Sequence, residues 1–376
     1  MTGSTVQSLD GRILTVDGWL DGRIDFDTKI RALDGQPSGE GPCEAYVIPG
    51  FVDLHVPGGG GGEAMGGAAG VRQLARLHAR HGTTSLAPAS VTAPADDLLA
   101  TARGIAEVQA DRQPDEARVL GAHIEGPFLN PKRLGAQPPF IALPDLTLID
   151  RLAEIVDIQI VTLAPEVDGA MELIRHLAGR GVAVQIGHSD ATYDETLAAL
   201  EAGARGFTHL FNAMSALHHR APGVTGAALA HATYAALIPD LVHVHPGAIR
   251  AALRAIPKLF FVTDAVAAAG MPDGPYPLGR RRVTKMGDAV YSDEGSATRV
   301  LAGSALTMDR ALLNLVEIGL PLADAVRRLA TLPAEFIGLD DRGVLAPGNW
   351  ADIVVLDNTF NVTGVIVEGQ AIDLDG

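Results

Sequence analysis

Eight short apolar runs, spread over residues 49–344 and separated by Ala/Leu-rich stretches, constrain the fold of this chain more than any other feature. They begin at Gly50 (GFVDLH), Thr83 (TTSLAP), Val119 (VLGAHIE), Asp157 (DIQIVTLAP), Val182 (VAVQIGH), Gly206 (GFTHLF), Ala235 (AALIPD) and Leu259 (LFFVTD). The stretches between them, such as GVRQLARLHARHG, MELIRHLAGRG and DETLAALEAGA, have helical spacing, and several close on a glycine of the kind that caps a helix C-terminus. Strand-helix alternation of this sort builds a parallel sheet through crossover connections. Eight units within residues 49–344 suit an α/β TIM (β/α)8 barrel better than an open doubly wound sheet.

The two ends of the chain read differently. Residues 1–48 carry the pairs Asp10-Gly11, Asp17-Gly18 and Asp21-Gly22 between short alternating runs, which predicts tight hairpin turns at all three. The tail repeats that texture in ADIVVLD at Ala351 and GVIVEGQAI at Gly364. Chain ends commonly lie close together. The expectation is therefore a small β-sandwich built from residues 1–48 and 345–376, flanking a barrel over 49–344.

Composition narrows the function. A net charge of −16 disfavours nonspecific nucleic-acid binding, which needs surplus Lys and Arg. Apolar runs are broken by charge or proline, and the N-terminus has neither a basic opening nor a long apolar run, so a cytoplasmic protein without a membrane span is expected. The single cysteine, Cys43, leaves any metal to be held by His, Asp and Glu. Gly58 to Gly62 fits a dinucleotide fingerprint only weakly, with no matching acidic residue after the next strand, and reads as a mobile loop at the barrel mouth.

Barrels of this type place their chemistry at the C-terminal ends of the strands. His55 ends the first run, Glu125 the third, His188 the fifth, His209 the sixth and Asp264 the eighth. One alone would mean little, but five together point to a site. One carboxylate and two imidazoles suit a zinc-like divalent ion with open positions for water, and such an ion brings the pKa of bound water down to about 7. Asp264 is then free to act as general base and acid, so the pattern implies metal-assisted hydrolysis.

The segments GAHIEGPFLNPKRLGAQ, QIGHSDATYDE, FTHLFNAMSALHHRAPG, FVTDAVAAAG and LAGSALTMDRAL resemble the N-acetylglucosamine-6-phosphate deacetylase family of the amidohydrolases, and RGVLAPGNWADIVVLD resembles the ending common to that superfamily. The resemblance spans about Ile48 to Asp357. It implies hydrolysis of N-acetylglucosamine 6-phosphate to glucosamine 6-phosphate and acetate. It makes Glu125, His188 and His209 the ligands of one zinc ion per chain, with iron, cobalt, manganese or cadmium as alternatives, and Asp264 the catalytic acid/base. It puts Ala136, Gln137, Asn212, Ala213, His243, Leu301, Ala302 and Gly303 against the substrate. It also implies a homodimer in which Arg220 reaches the neighbouring active site to bind phosphate, a role suited to a bidentate guanidinium.

Three departures stand out. His55 survives from a His-x-His pair, but Pro57 occupies the partner position and has no donor atom, so a single ion is expected, with His55 bonding water or weakly holding a second metal. Gln137 stands where the family has histidine, so its amide is expected to hydrogen-bond the acetyl carbonyl without carrying charge. Ala221 replaces the usual Glu after the phosphate-binding arginine. Lys29, Lys132, Lys258 and Lys285 all lie away from the strand ends, which disfavours sites built on a carboxylated lysine. Deacetylation of another N-acyl amino sugar, or a binding protein on a decayed barrel, are the alternatives.

Overall fold

The computed structural model describes residues 5–292 and 299–375; Met1 to Ser4 and Gly376 of the expected end unit lie outside them. Each of the eight apolar runs is a strand: Phe51–Val56, Thr83–Pro88, Arg118–Val119 continuing as Ala122–Glu125, Ile158–Leu163, Ala183–Ile186, Gly206–Phe207, Tyr234–Leu237 and Lys258–Phe261. All pairings among them are parallel. Phe51–Val56 and Thr83–Pro88 are buried along their whole length, as expected of parallel strands covered on both faces. The helices between them are one-sided. Gly67–Arg80, for example, turns Val71, Leu74, Ala75, His78 and Ala79 inward at helical spacing. Tyr193–Ala202 starts on a capping box from Thr192 and Glu195 and ends on left-handed Gly203.

The strand ladders do not close into one ring. They form three groups, with seams between Gly206–Phe207 and Tyr234–Leu237 and between Lys258–Phe261 and Phe51–Val56. At these seams the bonds come from residues beyond the strand ends: Leu210 N donates to Ala236 O at 2.8 Å, and Asp264 N donates to His55 O at 2.9 Å. His209 and Asp264 have left-handed backbones, which turn the chain out of the ladder there.

The chain ends share one seven-stranded sheet, in the order Gln370–Ala371, Val362–Val367, Ile353–Leu356, Tyr46–Pro49, Gln7–Thr15, Gly18–Phe26, Ile30–Pro37. Among the described residues the expected sandwich is thus a single continuous sheet, with its own apolar cluster of Ile13, Ile24, Phe26, Ile30, Val47 and Ile353. Only Asp17-Gly18 lies at a turn. Asp10-Gly11 and Asp21-Gly22 sit inside paired strands, Gly11 facing Gly22 and Gly22 facing Gly35. A Cβ on Gly22 would lie 2.0 Å from Asp34 O, so glycine there permits close strand approach instead of a turn.

A second antiparallel sheet, unanticipated from the sequence, follows the last parallel strand: Gly274–Leu278, Arg281–Met286, Ala289–Ser292 and Leu301–Ser304. Val266, Leu278, Val283, Val290 and Ala302 form its apolar centre. The glycine-rich segment is also ordered differently from expectation. Gly58–Gly59 pairs with Gly62–Glu63, and Gly58, Gly60 and Gly61 donate to Ala265 O, Ala269 O and Ala267 O, so it is a hairpin locked to the segment after Asp264. No helix among the described residues is long and apolar enough to cross a membrane.

Candidate active site

Glu125 is the last residue of its strand, His188 and His209 lie two residues beyond theirs, and Asp264 three beyond the last parallel strand. His188, His209 and Asp264 have φ of 50°, 31° and 50°. Such left-handed backbone in non-glycine residues is unfavourable and gathers at functional sites. It aims the side chains across the ends of the strands. There they line a cavity of about 360 Å³ together with Gln137, Asn212, Ala213 and His243.

Glu125 Oε1, His188 Nε2 and His209 Nε2 lie 3.1 Å from one another in every pairing. An equilateral triangle of that side has its centre about 1.8 Å from each corner (3.1/√3), so an ion bonded at roughly 2.0–2.1 Å can touch all three. The tautomers agree. His188 Nδ1 lies 2.8 Å from Arg133 O, a carbonyl that can only accept, so Nδ1 carries a proton and Nε2 is the nitrogen turned toward the carboxylate. A carboxylate oxygen and two imidazole nitrogens gathered this closely offer a cation three donor atoms. All three groups are buried, and they form the metal-type cluster found among the described residues.

The electrostatics follow from burial and from these contacts. Burial would raise the Glu125 carboxyl, but the charge of His55 and the bonds with His188 and His209 outweigh it and hold it well below the usual range. Burial, reinforced by Glu125, raises Asp264, against the opposing pull of His55. His55 is almost fully buried, 3.3 Å from Glu125 Oε2 and 3.5 Å from Asp264 Oδ1, yet neither ring nitrogen has a well-formed hydrogen bond. Burial opposes its charge, but the two carboxylates prevail and hold it up at about 9. Asp53, named in no expectation, accepts from Thr263 Oγ1 at 2.6 Å and from His55 N at 3.2 Å, and so ties the first strand to the residue before Asp264. Burial pushes its carboxyl up to about 7.

The other expected residues divide. Ala136, Gln137, Asn212, Ala213, His243, Leu301 and Gly303 line the cavity. Asn212 also donates to His209 O at 3.1 Å, bracing the turn that carries this histidine. His243 Nδ1 pairs with Asp240 Oδ2 at 2.6 Å, while His245 caps the helix Pro246–Ala255 by accepting from Gly247 N, so the two histidines of VHVHP have separate tasks. Ala302 is not brought to the cavity. It alternates with Leu301 and Gly303 along one strand and is buried in the core of the antiparallel sheet. Arg220 is exposed, beside His219 Nε2 at 2.6 Å, and lies outside this chain's cavity. The Gln137 amide gives one of its two N–H donors to Glu125 Oε2, and its oxygen accepts from Thr92 N. Arg299, which sequence reasoning missed, is the Lys/Arg side chain that lines the cavity among the described residues; its only sequence signal is its place two residues before Leu301.

The Amidohydrolase family model matches residues 46–372. The chain is 38% identical to the N-acetylgalactosamine-6-phosphate deacetylase of Escherichia coli O157:H7, over 96% of this chain and 97% of that one. It is 36% identical to the N-acetylglucosamine-6-phosphate deacetylase of Vibrio furnissii, over 91% of this chain and 87% of that one. Among solved structures, a variant of the Mycobacterium smegmatis N-acetyl-D-glucosamine-6-phosphate deacetylase in complex with N-acetyl-D-glucosamine-6-phosphate superposes with a TM-score of 0.88 at 34% identity, covering 98% of this chain and 100% of that one. Shared over nearly its whole length, and with a buried Glu-His-His cluster beside an aspartate, the chain belongs to the amidohydrolase family and, within it, to the N-acetylglucosamine-6-phosphate deacetylases.

Proposed function

We propose that this chain hydrolyses the acetamide of N-acetylglucosamine 6-phosphate, releasing glucosamine 6-phosphate and acetate. The observation that carries the reading is the 3.1 Å triangle of Glu125, His188 and His209 with the buried carboxylate of Asp264 facing the same cavity. Glu125, His188 and His209 would hold one divalent ion, which we take to be zinc; when bound, it polarises the acetyl carbonyl and acidifies water. Asp264 takes a proton from the attacking water as the water oxygen bonds to the carbonyl carbon. It then returns that proton to the nitrogen as the C–N bond breaks, so the amine leaves neutral. Burial raises the proton affinity of Asp264, which suits a group that must both accept and donate. His55, on the other side of Asp264 from solvent, balances its charge.

Asn212, Ala213, His243, Leu301 and Gly303 form the walls against which the sugar would lie. For the phosphate we assign Arg220 of a neighbouring copy in a homodimer, with Arg299 as a cation supplied within the chain. A phosphorylated sugar is retained inside the cell, which fits a cytoplasmic enzyme. The barrel remains our reading of the eight parallel strands, with the end sheet as a second unit over 1–48 and 345–376. The relative from Escherichia coli favours a second reading, in which the sugar is N-acetylgalactosamine 6-phosphate, the epimer at the 4-hydroxyl.

One experiment tests these readings. Acetate release is measured from both phosphorylated sugars with metal-depleted protein to which each divalent ion is returned separately. We expect activity to depend on the ion and kcat/KM to be higher for the glucosamine derivative. A higher value for the galactosamine derivative selects the second reading, and no release with any ion rejects both.

A further inference from the structure

We infer that Gln137 is a positioning residue that divides the Glu125 carboxylate, holding Oε2 so that Oε1 alone is offered to the metal. This rests on the metal reading above and deepens it. Gln137 is 7% exposed, and its two amide ends are fixed by different partners. Its oxygen accepts the backbone N–H of Thr92 at 2.7 Å. A backbone N–H can only donate, so the amide cannot be flipped, and its NH2 must face Glu125 Oε2, 2.5 Å away. The other carboxylate oxygen, Oε1, is the one that meets both histidines at 3.1 Å.

The support extends beyond this one bond. Gln137 N donates to Leu134 O at 2.9 Å, and the carbonyls of Ala136 and Gln137 accept from Arg281 Nη1 on the antiparallel sheet. The same loop supplies Arg133 O, which fixes the tautomer of His188. Arg133 is in turn anchored to Asp190, two residues beyond His188, at 2.6 Å. Residues 133–137 therefore orient two of the three metal-facing side chains. Outer partners of this kind set the direction and basicity of a ligand, and their loss costs about 10- to 100-fold in metal affinity.

Two expectations differ from those for an amide that touches substrate. One amide N–H of Gln137 is committed to Glu125 and its oxygen to Thr92, so on this reading its loss should appear first in metal binding and not in substrate KM. And because Oε2 is held, Glu125 cannot bridge to a second ion, which together with Pro57 fixes the stoichiometry at one.

The test is the affinity of metal-free wild-type, Gln137→Glu and Gln137→Leu proteins for Zn²⁺, by competition with a chromogenic chelator. Gln137→Glu has nearly the same shape and keeps the acceptor for Thr92, while replacing the donor to Glu125; Gln137→Leu removes both. We expect Kd to rise about 10- to 100-fold in Gln137→Leu, with one ion per chain throughout and substrate KM near the wild-type value at saturating metal, and to rise less in Gln137→Glu, whose added charge attracts the cation. A residue of merely structural importance would lower the thermal midpoint of the metal-free protein and leave Kd at 25 °C within about threefold of wild type, as judged against the tenfold minimum expected. That result, or a raised KM at unchanged Kd, overturns the inference. If wild-type protein binds no divalent ion, the metal reading itself fails, an outcome distinct from failure of the role given to Gln137.

Discussion

Asp264→Asn should separate proton transfer from everything else the residue does. Asparagine has almost the shape of aspartate and is among the few side chains that tolerate left-handed backbone, which position 264 requires at φ 50°. The bonds from Asp264 N to His55 O at 2.9 Å and from Ser304 N to Asp264 O at 2.8 Å should therefore persist. What is lost is a group able to take and return a proton. General acid–base catalysis is worth about 10²- to 10⁴-fold. Because one carboxyl serves both the attack and the departure of the amine, with no second carboxylate apart from Glu125 among the described residues lining the cavity, the upper end applies. Four powers of ten correspond to about 5.4 kcal/mol at 1.36 kcal/mol per tenfold. The assay is kcat for acetate release at saturating metal, alongside Kd for the ion and KM for the sugar. We expect kcat to fall about 10⁴-fold with the other two near wild type. A kcat within about tenfold of wild type would refute the role, since it falls short of even the lower bound.

Three further outcomes bear on the framework that holds the site. Glu368, 8% exposed, joins Arg342 at 2.5 Å, Arg118 at 2.7 Å and Arg112 at 3.2 Å, tying the end sheet to the parallel strands; Glu368→Ala should cost about 3 kcal/mol in urea unfolding at pH 7, the lower end for breaking a buried pair. Burial would raise this carboxyl, but Arg118 and Arg342 hold it at about 2 against an ordinary 4.5, so its contribution is present above pH 4.5 and the gap between variant and wild type should shrink as pH falls from 4.5 toward 2. His78 donates from Nε2 to Gly58 O at 2.9 Å, and burial pushes its ring down to about 4; the unfolded chain takes up that proton near 6.5, so stability is lost as pH falls from 6.5 to 4, and His78→Gln should flatten that part of the profile measured by urea midpoints. Gly58→Ala places a Cβ 2.5 Å from Ala267 N and 2.6 Å from Gly62 O, backbone atoms that cannot rotate away, so about 1–3 kcal/mol of stability should be lost in calorimetry, and an unchanged midpoint would show the hairpin to be looser than its bonds suggest.

The parts of this structure that could be read from sequence are those whose signal is local. Buried parallel strands need continuous apolar runs, so all eight announced themselves, and a polar residue at a strand end sits just past such a run, as Glu125, His188, His209 and Asp264 do. What escaped depends on distant partners. Asp10-Gly11 has the chemistry of a hairpin turn but lies opposite Gly22, where the pairing of strands and not the dipeptide decides its conformation. The hairpin at Gly58 looks mobile until the carbonyls of Ala265, Ala267 and Ala269 are placed beside it. Ala302 shares a motif with Leu301 and Gly303, yet strand alternation sends it to the other face. The direction of the Gln137 amide is set by Thr92, 45 residues away in the chain, and no local pattern contains that information.

Left-handed backbone at His188, His209 and Asp264 carries an energetic cost of a kind that gathers at functional sites. Here it is offset by bonds made at the same residues: His188 O accepts from Asn130 N at 3.0 Å, His209 O from Asn212 N at 3.0 Å, and Asp264 O from Ser304 N at 2.8 Å. Each strained residue is thus held through its carbonyl, by Asn130, Asn212 and Ser304 in turn, and its side chain is left to face inward. His188 Nε2 and the oxygen of Glu125 are held at 3.1 Å by this same framework, close enough for one cation to lie against both. Backbone strain and closely gathered donor atoms are both what a fold shaped for the charged centre we propose would show, and the free energy spent on preorganisation would be recovered when that centre binds.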